Sequence, residues 1–301
     1  MKKINFFIIG APKCGTTSLA AYLGQHKDIC FSEPKEPHYF FDNDNFGYSG
    51  SLNSFINSCF AHCDEKKIWG EGSVWYLYSH SALIKIKKHN PEAKVIIMLR
   101  NPVDMVYSLF YQKRHSLEED EKDFESAWNL YESRKMGENI PKQCTEYRFI
   151  LYKDIVKYYK YVKNVYHIFP AKNILVIDFD KFKDSTKIIY QRTLEFLNIP
   201  DDDRNKFEII NPNKEYRSRI IRKFLKYLSN NHRQGIRRLK KIPLLKKIPF
   251  LQTLNHLNTK FTQRPAFSQE SQKIILNFVK DDIILLGKFL KKDFRKWLKL
   301  K

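Results

Sequence analysis

Apolar runs and stretches of helical apolar spacing alternate along this chain through residue 200. The run Ile4–Ile9 stops at Gly10, and Leu19, Tyr22 and Leu23 then recur on one helix face. That spacing predicts a strand, a tight loop and a helix over 4–23. Ala93–Leu99 is a second apolar run, set off by the helix-breaking Pro91 and ending at Arg100, and Asn173–Phe179 is a third. Unbroken apolar runs, as opposed to alternating ones, predict parallel strands covered on both faces. Helices are predicted around Leu52–Cys59, over 80–89, from Asn101 through Tyr111, near Phe124–Tyr131, over 147–164 and over 186–197. Residues 268–301 read as two further helices, with Ser268 as the first N-cap. Strands alternating with helices predict an α/β fold, a central parallel sheet flanked by helices, with ligands at the carboxyl ends of the strands.

Two segments break the pattern. Residues 32–42 combine Pro34 and Pro37 with charged side chains, then present Tyr39, Phe40 and Phe41. Prolines exclude a strand centre or helix interior, while the aromatics demand burial. The segment reads as a loop pinned by its rings, able to hold a charge in a cleft. From Lys214 to Phe250 there are thirteen Lys or Arg and one acid, Glu215. Lys241-Ile242-Pro243-Leu244-Leu245 nearly recurs as Lys247-Ile248-Pro249-Phe250-Leu251. Residues 214–260 are expected to form a basic helical arm.

Composition sets the bounds. A 301-residue chain that is 43% hydrophobic can bury a full core, and one domain over 1–301 is expected. Aromatics at 15% suit packed sheets and sugar-stacking surfaces. The net charge of +21 favours polyanions, anionic membranes or phosphorylated ligands without choosing among them. Cys14, Cys30, Cys59, Cys63 and Cys144 form an odd, sparse set that argues against a disulfide framework. Cys59-x-x-His62-Cys63 lacks a second ligand pair at zinc-site spacing, so no metal is expected. No stretch reaches the length of a transmembrane helix, and Ile4–Ile9 is too short for a signal peptide. The expectation is a cytoplasmic protein, with peripheral contact to an anionic membrane through 214–250.

Candidate chemistry begins in the first loop. Lys13 supplies a point charge, and Thr16, Thr17 and Ser18 supply hydroxyls where a helix begins. The unpaired amides and dipole of a helix N-terminus attract anions, so the loop reads as a phosphate cradle. The nucleoside triphosphatase loop G-x-x-x-x-G-K-[ST] places Lys after its second Gly. Here Lys13 precedes Gly15 and no Lys follows. Arg100 at a strand end and Ser108 in the next helix can reach one phosphate together. The plain alternatives are a polar turn, a surface salt bridge of Arg100 and another between Glu36 and Lys35.

Pro12-Lys13-Cys14-Gly15-Thr16-Thr17 resembles the P-K-x-G-T-[TS] loop of sulfotransferases that use 3′-phosphoadenosine 5′-phosphosulfate (PAPS). Leu99–Ser108 resembles their 3′-phosphate motif L-R-[DN]-P-x-x-R-x-x-S, with Met105 where many relatives carry Arg. Lys35-Glu36-Pro37-His38-Tyr39-Phe40 is similar to the K-E-x-H-[FY]-F segment of bacterial carbohydrate-type sulfotransferases and of the heparan sulfate branch. Glu71-Gly72-Ser73 falls where that branch carries E-K-[ST]-P, with Gly72 replacing Lys.

The resemblance implies a P-loop-like three-layer fold. It implies that Pro12, Lys13, Cys14, Gly15, Thr16, Thr17 and Ser18 hold the phosphosulfate of PAPS, and that Arg100 and Ser108 hold the 3′-phosphate. Lys260 or Arg264 would close a basic loop over the nucleotide. Glu36 would be the general base, Lys13 would stabilise the leaving oxygen of the product PAP, and His38 would be a proton partner or acceptor contact. The acceptor would be a hydroxyl of a carbohydrate or glycolipid, met by variable loops at 42–66 and 112–147. No metal is called for, since Lys13, Arg100 and helix amides supply the positive field. Two other readings stay open: a nucleotide phosphotransferase, and a non-enzymatic module binding membranes or polyanions through 214–250. Nucleic acid is disfavoured, since no recognition motif occurs.

Overall fold

The computed structural model describes residues 3–42, 46–64, 67–208 and 265–300, together with the backbone of 214–216 and 259–261. Five strands, β1 (Phe6–Gly10), β2 (Ile29–Phe31), β3 (Ile68–Gly72), β4 (Lys94–Leu99) and β5 (Ile174–Asp178), form one sheet in the order β2-β3-β1-β4-β5. Every pairing in it is parallel. All five residues of β1 and of β5 are buried, as their unbroken apolar runs predict.

The flanking helices are α1 (Thr16–Gly24), α2 (Leu52–Cys59), α3 (His80–His89), α4 (Pro102–His115), α5 (Phe124–Asn129), α6 (Tyr131–Lys135), α7 (Tyr152–Ile155), α8 (Tyr158–Ile168), α9 (Phe179–Asp184), α10 (Thr186–Leu197) and α11 (Gln269–Leu290). Side-chain caps set several starts. Asn101 Oδ1 accepts from the Val103 amide, with Pro102 in the first turn of α4. Ser268 accepts from the Ser271 amide, as expected for the N-cap of α11.

Four expectations need correction. Residues 147–164 are not one helix but a 3₁₀ turn at Tyr147–Ile150, then α7, then α8. Residues 268–301 hold one long helix and a 3₁₀ turn at Arg295–Leu298 instead of two helices. The sheet has two more strands than the three apolar runs announce. In β3, Gly70 and Gly72 weaken any strand signal, yet the Phe6 ring lies where a side chain at 70 would stand. Finally, Cys30 and Cys63 are disulfide-bonded, with Cα atoms 5.6 Å apart, joining β2 to the loop after α2. Sequence spacing could not foresee this, because sheet pairing and not chain distance brings the two thiols together.

Short strands β6 (Lys214–Tyr216) and β7 (Thr259–Phe261) pair antiparallel, so the basic segment between them leaves and returns at one place. The expected helices and membrane contact of that segment lie outside the described residues. Among the described residues, no helix is long and apolar enough to cross a membrane.

Candidate functional site

The sheet order reverses at β1. From there the chain goes out to β2 and β3 on one side and to β4 and β5 on the other. Such a switch point opens a crevice beyond the carboxyl ends of the strands. The segments singled out in the sequence follow β2, β3, β1 and β4, four neighbours in the sheet.

The loop after β1 is tied down by the Ala11 amide, which donates to Met98 O on β4 at 2.7 Å. Lys13 takes a left-handed backbone with φ 61°, and Gly15, the N-cap of α1, follows at φ 82°. A Cβ at Gly15 would stand 2.8 Å from the Phe179 ring, so glycine is required both for its backbone and for its space. No side chain caps α1, which leaves the helix start to a ligand. Pro12 and Thr16 are buried, while Lys13, Thr17 and Ser18 are half-buried. Cys14 is buried. Its thiol donates to Pro12 O at 3.3 Å inside the loop, and burial pushes its pKa up to about 12. It is spent on packing.

Arg100 leaves the end of β4 and reaches back to this loop. Its Nη1 donates to Lys13 O at 3.4 Å, and its guanidinium lies 5.0 Å from the centre of the Phe179 ring. Its Nε is buried without a hydrogen-bond partner. Asp104 approaches only to 3.9 Å. Ser108 is buried on the second turn of α4. An orphaned guanidinium N–H beside a helix start, with glycine opening the approach, suits a phosphate.

Glu36 belongs to the aromatic-pinned loop, as read from the sequence. Tyr39 stacks on Phe55 with centroids 4.3 Å apart, and Phe40 and Phe41 are buried. Lys35 Nζ lies 2.8 Å from Glu36 Oε1, and His38 Nε2 lies 3.5 Å from Glu36 Oε2. Burial would raise the pKa of Glu36, but the Lys35 ammonium and the His38 contact outweigh it and hold the carboxyl near 2. Its side chain keeps 38% of its exposure, so it is reachable from the cleft. His38 is nearly buried against Phe46, and desolvation pushes its pKa below the usual imidazole range although Glu36 pulls the other way. Its backbone amide donates to Ser73 Oγ at 3.0 Å, which ties the loop to the end of β3.

Lys35 carries more than its place in the motif suggests. Its Cε would lie 3.6 Å from a Cβ at Gly72. Lys35 thus lies within contact distance of the glycine at the end of β3, and it carries an ammonium into this part of the cleft. Only the tertiary structure shows this, since residues 35 and 72 lie on different segments. Lys113 is another cation missed by motif. It is buried 4.9 Å from the centre of the Phe149 ring, paired to Glu118 at 2.8 Å, and close enough to His38 to oppose its charging.

Glu71 is fully buried at the end of β3. Ser73 donates to its Oε1, while Oε2 has no partner. Burial pushes its pKa up to about 8. In the folded state it keeps its proton across a range where the unfolded chain loses it. The contribution of Glu71 to stability is therefore full below about pH 4.5, falls as pH rises toward about 8, and levels off above. Glu71→Gln should flatten that fall, with the variant gaining on wild type as pH rises. Urea midpoints at the two ends of the window measure it, and parallel pH profiles would show that Glu71 is ionised in the fold.

Of the remaining predicted residues, Lys260 lies on β7 opposite Glu215, and only its backbone is described. Arg264 lies outside the described residues. At the start of the first proposed acceptor loop, Asp42 O accepts from Arg148 Nη2 at 3.4 Å, just past the end of the second. Beside Arg148, Thr145, Tyr147 and Ile140 line an open cavity of about 540 Å3.

Residues 3–265 match the sulfotransferase domain family. Carbohydrate sulfotransferase 15 of Mus musculus is 22% identical over 245 residues, 65% of this chain and 44% of that protein. Bifunctional heparan sulfate N-deacetylase/N-sulfotransferase 3 of Mus musculus is 26% identical over 203 residues, 65% of this chain and 22% of that protein. The matched part thus spans less than half the length of these curated relatives. A crystal structure of a sulfotransferase from Alicyclobacillus acidocaldarius shares the fold, with a TM-score of 0.71 at 21% identity over 99% of this chain and 100% of that one. A match that runs over most of the sequence, on a fold shared end to end, gives the conclusion that this chain belongs to the sulfotransferase domain family of transferase enzymes.

Proposed function

We propose that the protein transfers a sulfuryl group from PAPS to a hydroxyl of a carbohydrate or glycolipid acceptor. The observation that carries this reading is the gathering of Glu36, the Lys13 loop, and Arg100 with Ser108 beyond the carboxyl ends of β2, β1 and β4, within four adjacent strands of one sheet. In this reading the start of α1 and Lys13 hold the 5′-phosphosulfate, and Arg100, through its unpartnered Nε, holds the 3′-phosphate with Ser108. Bound PAPS supplies the sulfuryl group and, as PAP, the leaving group. Glu36 takes the proton of the acceptor hydroxyl as its oxygen bonds to sulfur. Lys13 offsets charge on the phosphate oxygen released when the sulfur–oxygen bond breaks.

A carboxylate with a pKa near 2 is a weak base. Lys35 gives it a way out. A sulfuryl group arriving beside Lys35 draws the ammonium from Glu36, and the carboxylate gains basicity when it is needed. The heparan-type Glu36 motif and the likeness to carbohydrate sulfotransferase 15 support a carbohydrate acceptor.

Calorimetric titration with PAP, beside ATP plus magnesium, tests the donor. Wild type should bind PAP, and Arg100→Ala should weaken it by about tenfold to a hundredfold, the loss expected for charge-assisted hydrogen bonds. If PAP fails to bind and ATP binds with magnesium, the phosphotransferase reading replaces this one.

A further inference from the structure

The free edge of β5 borders a cavity of about 240 Å3 that the proposed reaction does not use. Lys181 of α9, Arg192 of α10 and Lys291 and Lys292 beyond α11 converge on it. Two acids also line it, and both are engaged elsewhere. Lys296 Nζ lies 2.9 Å from Asp178 and 3.3 Å from Asp180, and Arg295 holds Asp293 at 2.7 Å. Among the described residues, no ion pair joins a carboxylate to any of the four converging cations.

Lys292 shows what this crowding costs. It is only partly exposed, and its ammonium donates to the Val176 carbonyl on the sheet edge. A neutral carbonyl anchors the group without neutralising it. Burial first, then Arg192 and Lys181, push its pKa down to about 8, with Asp178 pulling weakly the other way. A cation held among cations at the floor of a cavity is relieved by an anion. The Arg192 fork and the flanking ammoniums match a tetrahedral oxyanion in charge and in donors.

We infer that this cavity binds a sulfate or phosphate group, with Lys181, Arg192 and Lys291 at its mouth and Lys292 at its floor. It is separate from the Lys13 loop but backs onto it. Asp178 lines the cavity, and the next residue, Phe179, packs against Gly15 and beneath Arg100. The oxyanion is either free or part of an ester, and the cavity has room for the carbon substituent. The inference stands independently of the proposed sulfuryl transfer.

The test uses the full chain in an Arg100→Ala background, which weakens oxyanion binding at the nucleotide loop in every arm. Inorganic sulfate, inorganic phosphate and glucose 6-sulfate are titrated calorimetrically against this protein and against the same protein with Lys181→Ala and Arg192→Ala added. Both added positions are exposed, and the fold should be kept, which thermal melts of each variant check. A saturable site weakened at least about tenfold by the two substitutions is expected. Tighter binding of glucose 6-sulfate identifies an ester as the ligand, and equal or tighter binding of the inorganic ions identifies the free anion. Near pH 8, binding should also take up a proton at Lys292, read from the dependence of the heat on buffer ionisation and lost in Lys292→Met. Equal affinity with and without Lys181 and Arg192, or no saturable binding, would overturn the proposal.

Discussion

Glu36→Gln should keep PAP affinity within about twofold and lose turnover by roughly a hundredfold to ten-thousandfold, the range of general-base catalysis. The amide keeps the shape of the side chain and can still accept from Lys35, so the loop should stay in place. What it lacks is the ability to take a proton. The pH profile gives a second readout. Lys35 and His38 hold the Glu36 carboxyl near 2, so the acid limb of kcat/KM should lie well below the ordinary carboxylate range. Lys35→Ala should move that limb up toward 4.5, because the largest opposing charge is gone. Ordinary turnover in Glu36→Gln would remove it as the base. His38 would then come forward, since desolvation favours its neutral, proton-accepting form.

Arg134→Met should destabilise the protein by about 3–5 kcal/mol, the cost of stranding a buried partner charge. Arg134 and Glu119 have fully buried side chains joined by two hydrogen bonds, of 2.7 and 2.8 Å. Glu119 also accepts from the Tyr152 hydroxyl at 2.9 Å and from the amides of Asp120 and Glu121. This network ties α6 and α7 to the loop after α4. With Glu119→Leu added, the stranded charge disappears and part of the stability should return, while the Tyr152 hydroxyl and the two amides left without their acceptor keep the rest from returning. Urea midpoints of the two single variants and the double variant decide it. Losses under about 1 kcal/mol in both single variants would show that water reaches the pair.

Some of this protein is written plainly in its sequence. The apolar runs before Gly10 and Arg100 and at 173–179 specify β1, β4 and β5, because a strand buried on both faces must be apolar throughout. The Lys13 loop and the Glu36 loop were also legible. Hydroxyl residues where a helix begins after a glycine, and aromatics that follow two prolines, are local devices that act over a few residues. Other features needed the tertiary structure. In the run Glu118-Glu119-Asp120-Glu121 the sequence does not single out Glu119, yet it is buried and paired with Arg134, which arrives from α6. β3 is a strand despite two glycines because Phe6 and Phe31 pack over them. Cys30 meets Cys63 because the chain after α2 comes back beside β2. In each case the partner lies far along the chain. Local patterns state what a segment must do with its own surface, and only the folded sheet decides which distant charge, ring or thiol it meets.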